Sequence, residues 1–271
     1  MNSSSLLAAL HSGQRAYGSL IVSESPRWPA TVAKIGLDFV FIDTEHLALD
    51  RGTVSWMCQT YAGLELAPIV RIPAPDPYQA CMVLDGGAAG VVAPYVETVE
   101  QVKALVGAVK LRPLKGKRLQ QVLDGEAQFE TSLSDYQATN NGGNILAINI
   151  ESTPALENLD HLLSIKGVDV ALIGPHDLSC SLGIPEQYDD PRFEEAVLAI
   201  IRQARAHGVA AGIHSWMGIE REVAWARAGL NFLIHSADII AMRESLQADV
   251  AQIRQKLGDR PAASGAGADN I

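Results

Sequence analysis

The chain has 271 residues, 48% of them hydrophobic, with 31 acidic side chains against 21 basic ones and a formal net charge of −10. The apolar content suffices for one large core, ~250 residues being the usual size of an α/β barrel. The acidic balance excludes nucleic acid and an anionic membrane surface as main partners, and no apolar run approaches the ~20 residues of a membrane span. Three scattered cysteines (Cys58, Cys81, Cys180) without CxxC spacing, and an N-terminus lacking a signal-peptide pattern, point to a reducing, cytoplasmic setting.

The pattern predicts a short helix over 3–12, a first strand over 17–22, a helix over 26–35, and a second strand over 38–42 that runs into Asp43, Glu45 and His46. A helix over 50–62 follows, with Asp50 as its cap and Gly63 just past its end, then a third strand over 67–72 that closes on Arg71. Pro77 suits the first position of a helix over 76–84. A fourth strand over 89–92 ends at Pro94, and apolar residues at 102, 105, 106 and 109 mark a helix over 98–109. Residues 111–143 break the rhythm. RPLKGKR is basic and the Asn-Asn-Gly-Gly stretch is turn-rich, so the segment reads as a long insertion of the functional or mobile kind.

The stretch from 145 to 185 organises the rest. A β-branched run over 145–150 ends in Glu151; a helical segment containing Pro154, Leu156, Leu159, Leu162 and Leu163 follows; a second apolar run over 168–173 leads through a Gly-Pro turn to Asp177. Each strand thus delivers a carboxylate at its C-terminal end, where α/β folds bind ligands. Two carboxylates from adjacent parallel strands can converge on one hard divalent cation. A helix over 193–206, a strand over 209–213, a helix over 219–228, a strand over 232–234 and a long helix over 239–257 complete the pattern, and the small polar tail from 258 reads as disordered. Eight strand signals alternating with helices predict a (β/α)8 TIM barrel in one domain, residues 1–257, with a doubly wound sheet as the alternative.

Polar residues at strand ends then gather on one face: Asp43, Glu45, His46, Arg71, Glu151, His176, Asp177, His214, Ser215, His235 and Ser236. A plain alternative stands beside each. Glu151 is also what a helix N-terminus favours, and an arginine can make a surface salt bridge, though Val70 and Ile72 flanking Arg71 make it a poor surface residue. A Schiff-base mechanism needs a strand-end lysine, and the lysines at 34, 103, 110, 115, 117, 166 and 256 all fall in helices or loops.

FIDTEH, PIVRIP, VLDGGAAGVVAPYVET, INIEST and VDVALIGPHDLS resemble, in this order, the signature segments of the HpcH/HpaI aldolase family, over about residues 15 to 250. The resemblance implies a (β/α)8 barrel, a divalent metal (Mg, Mn or Co), and reversible aldol cleavage of 4-hydroxy-2-oxo acids to pyruvate and an aldehyde. It implies an alternative too, since relatives of the macrophomate synthase kind decarboxylate oxaloacetate through the same enolate. A hexamer, a trimer of dimers with the last helix exchanged between subunits, is the implied assembly. A barrel that binds 2-oxo acids without catalysis is the alternative of another class, and it would have no need of the set His46, Arg71, Glu151 and Asp177.

On this resemblance Glu151 and Asp177 are the metal ligands, their oxygens suiting Mg or Mn. Arg71 stabilises the developing enolate oxygen, and His46 is the general base, an imidazole being suited to the task near neutral pH. Asp85 orients that histidine, although Asp before Gly-Gly is also ordinary turn chemistry. Asp43, Glu45 and Asn149 support the ligands from behind. The turn Gly174-Pro175-His176-Asp177 binds the pyruvate carboxylate through the amides of His176 and Asp177. The sequence also departs from the family pattern. Asn149 stands where Gln is frequent, His176 where a small residue is frequent, and His214 where an apolar residue lines the aldehyde pocket. KGKRLQ, with Lys117 and Arg118, replaces a Gly-rich arginine segment. His214 is equally well explained as a substrate contact or as a turn residue.

Overall fold

Hydrogen bonds close eight parallel strands into a barrel, in the order of the chain, in a computed structural model that describes residues 1–260. The strands are β1 (Ala16–Leu20), β2 (Phe39–Asp43), β3 (Ala67–Arg71), β4 (Gly90–Ala93), β5 (Ile145–Ile150), β6 (Val170–Ile173), β7 (Ala210–Ser215) and β8 (Phe232–Ala237). The helices among the described residues are α1 (Ser3–His11), α2 (Trp28–Val32), α3 (Arg51–Gly63), α4 (Pro77–Asp85), α5 (Val99–Lys110), α6 (Gly116–Leu123), α7 (Thr131–Asn141), α8 (Thr153–Glu157), α9 (Leu159–Leu163), α10 (Pro175–Ser181), α11 (Pro191–Ala206), α12 (Ile219–Ala228) and α13 (Asp238–Leu257). The alternation predicts a (β/α)8 barrel, and that is the architecture. The disordered tail expected from 258 lies outside the described residues from 261 onward, and Gly258 itself ends α13 in a left-handed conformation (φ 75°).

Side chains alternate across a strand, and the barrel sorts them into two cores. Phe39, Phe41, Ala67, Ile69, Ile145, Ala147, Val170, Leu172, Phe232 and Ile234 fill the interior. Val40, Ile42, Val70, Leu146, Ile148, Ala171 and Leu233 face the helices. Phe39 and Phe232 stack inside the barrel with centroids 4.3 Å apart. Gly18 makes room for them, because a Cβ there would meet the Phe39 ring at 2.3 Å. Leu6 and Leu10 of α1 are fully buried in the same interior core and close its floor. Beside them Asp169 accepts from Lys110 Nζ at 2.6 Å and from the Leu146 amide at 2.8 Å.

The insertion at 111–143 is not structureless, since it folds into α6 and α7. Leu119 and Leu123 of α6 pack against Gly107 of α5. On α7 the buried residues are polar: Gln137 Nε2 donates to the Leu111 carbonyl and Asn141 Nδ2 to the Arg112 carbonyl. A helix docked through amide side chains has no apolar periodicity to reveal it. The helical segment after Glu151 divides into α8 and α9 at Asn158, whose side chain donates to the Glu97 carbonyl at 2.9 Å. Among the described residues, no helix is long and apolar enough to cross a membrane.

Candidate active site

The inward parity that builds the core also places polar side chains at the C-terminal mouth. Two residues beyond Phe41 comes Asp43, beyond Ile69 Arg71, beyond Ala147 Asn149 and then Glu151, beyond Leu172 Gly174, and beyond Gly212 His214. A cavity of about 640 Å³ lies there, and its lining includes His46, Arg71, Asn149, Gly174, Asp177 and His214.

On one side stands a guanidinium–carboxylate system. Asp43 and Arg71 are register partners of β2 and β3. Arg71 donates from Nε and Nη2 to the two oxygens of Asp43, at 2.8 and 2.6 Å, a planar two-point contact. Glu45 Oε2 is 3.2 Å from Arg71 Nε and 3.8 Å from His46 Nε2. Burial works against the charge of Asp43, yet the Arg71 hydrogen bonds and charge, with the Glu45 amide, hold its carboxyl below the usual range. Burial likewise works against the charge of Arg71, but Asp43 and then Glu45 keep it firmly cationic. The guanidinium carbon sits 5.6 Å from the Phe41 ring centroid. His46 is half-exposed at the rim.

On the other side stand the acids. Glu151 accepts from the Tyr95 amide at 2.7 Å and from Asn149 Nδ2 at 2.8 Å. Burial pushes its carboxyl up, against these two hydrogen bonds, and the charges of Asp177 and Glu45 add to the rise. Gly174 is what lets the Glu151 carboxylate lie there, since a Cβ at 174 would meet its Oε2 at 2.7 Å. The expected Gly-Pro turn is the start of α10: Gly174 is its N-cap, Pro175 opens it, and Asp177 lies in its first turn.

These groups fit a hard divalent cation. The donors are carboxylates, the Glu151 carboxyl is raised partly by neighbouring acids that a cation would offset, and Glu45 Oε2 and Asn149 Oδ1 are buried without a hydrogen-bond partner. Among the described residues no three His, Cys, Asp or Glu side chains are grouped in ligating geometry.

The remaining wall is aromatic. His214 makes edge contacts with Phe41 and Trp216 at centroid distances of 5.6 and 5.3 Å, and its Nε2 lies 3.1 Å from the Ser236 carbonyl. A carbonyl only accepts, so Nε2 carries the proton and Nδ1 is the bare nitrogen. Burial pushes this imidazole down to about 4 despite that hydrogen bond.

Three residues named from the sequence lie away from this mouth within the chain. Asp85 is not a neighbour of His46 in this chain. It is the last residue of α4, at the opposite end of the barrel, 77% exposed at its side chain and paired with Arg112 Nη1 at 2.6 Å. His235 is within β8 and faces outward, where its Nδ1 meets both Glu222 oxygens at 2.9 Å. Arg118, on α6, pairs with Glu130. His176 sits at the rim, 3.6 Å from Glu186. Trp216 lines the site without a signal in the sequence, and Tyr95, inside the quoted VVAPYVET segment, meets Glu151 through its amide, a role its side chain does not announce.

A (β/α)8 barrel with acids, a clamped arginine and histidines over the C-terminal strand ends has the architecture of a barrel enzyme. The chain belongs to the HpcH/HpaI aldolase/citrate lyase family, which it matches over residues 18–242. It is 29% identical to a hydroxypyruvate/pyruvate aldolase of Roseovarius nubinhibens over 91% of this chain and 95% of that one. It is 31% identical to a 2-keto-3-deoxy-L-rhamnonate aldolase of Salmonella dublin over 90% and 91%. Among solved structures, citrate synthase SbnG superposes with a TM-score of 0.81 at 28% identity, covering 94% of this chain and 99% of that one.

Proposed function

We propose that the protein is a divalent-metal-dependent pyruvate aldolase, cleaving 4-hydroxy-2-oxo acids to pyruvate and an aldehyde and running the reverse condensation. The observation that carries this reading is the pairing of two environments across one mouth: Glu151 and Asp177 on the acid side, and Arg71, held by Asp43, on the other. Family membership and relatives named as aldolases support it.

Glu151 and Asp177 would hold Mg, Mn or Co. When bound, such an ion supplies Lewis acidity to the 2-oxo acid, favouring negative charge on its keto oxygen. The protein's own groups do the rest. The amides of His176 and Asp177, in the first turn of α10 where no intrahelical acceptor exists, receive the substrate carboxylate. His46 takes the proton of the C4 hydroxyl. The C3–C4 bond then breaks, its electrons pass to the pyruvate half, and the aldehyde leaves. Arg71, with Nε and Nη2 committed to Asp43, presents the remaining face of its guanidinium to the oxygen that gains charge. His214 and Trp216 wall the aldehyde end. Oxaloacetate decarboxylation is the second reading, because it breaks a bond to the same carbon and asks the same of Arg71.

Pyruvate release from 4-hydroxy-2-oxo acids and from oxaloacetate, after chelation and after Mg, Mn or Co is restored, tests this. Metal-restored release is expected, with Glu151→Gln and Asp177→Asn losing both metal affinity and turnover. Turnover that survives complete metal removal refutes the mechanism.

The assembly is a proposal of the same kind. α13 has no buried residue, and Met242, Leu246, Val250, Ile253 and Leu257 form an exposed apolar stripe on it. We read it as the face that packs on another copy in a hexamer. Sedimentation showing a 29.0 kDa monomer at micromolar concentration would overturn that.

A further inference from the structure

His214 is held in one orientation by an irregularity in the neighbouring strand. Between Gly18 and Leu20 β1 advances two residues, while β8 advances three, from Ile234 to Ala237, so β8 carries one residue more than its partner. Bulges of this kind re-aim the groups around them. Ser236 lies within the extra length, in a left-handed backbone conformation, φ 54°, which disfavours any residue with a Cβ. Its carbonyl receives the Nε2–H of His214 at 3.1 Å. Strain of this sort persists only where the surrounding structure enforces it, and it clusters at functional sites.

The consequence is chemical. The Ser236 carbonyl only accepts, so the imidazole proton is on Nε2 and Nδ1 is the nitrogen left to a ligand. Burial keeps the ring uncharged at neutral pH. Phe41 and Trp216 meet it edge-on, and they line the cavity together with His214, Leu20 and Leu172. An acceptor set in an apolar wall favours a ligand that brings a donor. It offers nothing to an alkyl group, which has no polar hydrogen, or to a carboxylate, which has no proton to give.

We propose that His214 is a specificity-determining residue whose Nδ1 accepts a hydrogen bond from a hydroxyl of the aldehyde, so that the preferred second substrate is a hydroxyaldehyde. The proposal rests on the aldolase reading and names the class of aldehyde within it. In the condensation C3 of pyruvate loses a proton and bonds to the aldehyde carbon, whose oxygen gains a proton and becomes the C4 hydroxyl. The hydroxyl that Nδ1 recognises is neither made nor broken, so its contact acts on selection alone.

Condensation of pyruvate with glycolaldehyde and with acetaldehyde, two aldehydes that differ by one hydroxyl, tests this on the metal-loaded enzyme. The quantity read is the ratio of the two kcat/KM values, because the intrinsic reactivities of the aldehydes cancel when proteins are compared. His214→Leu is expected to lower the glycolaldehyde-to-acetaldehyde ratio about tenfold or more, the usual effect of leaving a buried hydroxyl without its acceptor. His214→Asn, whose amide oxygen can still accept, is expected to lower it less than leucine does. Nitrogen NMR of the Mg-loaded wild type with isotope-labelled histidine gives a readout that needs no turnover: the signal that His214→Asn removes is expected to be that of a neutral ring protonated on Nε2. A ratio within about twofold of wild type in His214→Leu would overturn the proposal. So would a wild-type ring protonated on Nδ1, or an enzyme that cleaves 4-hydroxy-2-oxo acids yet condenses pyruvate with acetaldehyde and not with glycolaldehyde; these results leave the aldolase reading standing. Wild-type protein that neither cleaves 4-hydroxy-2-oxo acids nor condenses pyruvate with either aldehyde, with Mg, Mn or Co, would overturn both together.

Discussion

Replacing His214 with leucine should change how stability depends on pH, by an amount the structure sets. The imidazole is enclosed against Phe41 and Trp216, and its hydrogen bond to the Ser236 carbonyl suits the neutral tautomer. Burial depresses it from 6.5 to about 4. A base whose folded-state value lies below its unfolded one favours the fold while neutral. That contribution is complete above about 6.5 and is lost as the pH falls toward 4, because the unfolded chain takes up the proton first. With those two values, lowering the pH from 7.5 to 5 removes about 2 kcal/mol of stability through this residue alone, since each pH unit between them is worth about 1.4 kcal/mol. Urea unfolding of wild type and His214→Leu at pH 7.5, 6 and 5 measures it. The carboxylates titrate in both proteins, so the quantity of interest is the difference, and leucine should narrow any deficit by about 2 kcal/mol at pH 5. Wild-type and variant stabilities that stay parallel across the range would show that the imidazole is not desolvated as the packing implies. The same depression bears on mechanism: at neutral pH His214 meets a substrate as an uncharged ring, with Nδ1 as a hydrogen-bond acceptor, and not as an imidazolium proton donor.

Gly174→Ala should leave the fold intact yet abolish tight Mn(II) binding, because its Cβ would fall 2.7 Å from Glu151 Oε2 and 3.0 Å from Glu151 Cβ; unchanged metal affinity would refute the packing argument. Asp43→Ala should cost about 3 kcal/mol in urea unfolding at neutral pH, by leaving Arg71 buried without its two-point partner, and a loss under about 1 kcal/mol would mean Glu45 suffices. Glu222→Gln should behave oppositely to the His214 variant. The Glu222 hydrogen bond raises His235, so this pair stabilises the fold below about 6.5 and ceases to as the pH rises through the raised value. The variant should therefore be the weaker protein in thermal melts at pH 6 and nearly equal to wild type at pH 9.

How much of this is legible from the chain depends on whether a property is local to one strand or arises between strands. A strand's inward parity is local. Once 39, 41, 67, 69, 145 and 147 are core, residues 43, 71, 149 and 151 must reach the mouth, so Asp43, Arg71, Asn149 and Glu151 are readable as site residues from the pattern alone. What closure creates is not. The clamp of Asp43 on Arg71 exists because β2 and β3 pair with those two residues opposite each other, and a shift of one residue in that register would part them. Asp85 shows the same limit: its turn motif is visible, but not that it ends α4 and pairs with Arg112. His235 differs from expectation by a single position, since β8 extends to Ala237 and turns that side chain outward to Glu222 while Ser236 faces in. Tyr95 combines both difficulties. Its left-handed φ is imposed by hydrogen bonds from two other segments, Glu151 on β5's end and Gln101 on α5, and no residue-level preference announces a tyrosine there. The residues hardest to read are thus those whose role lies in joining strands, and in a barrel whose site is assembled from β2, β3, β5 and β6 these are the residues that set its geometry.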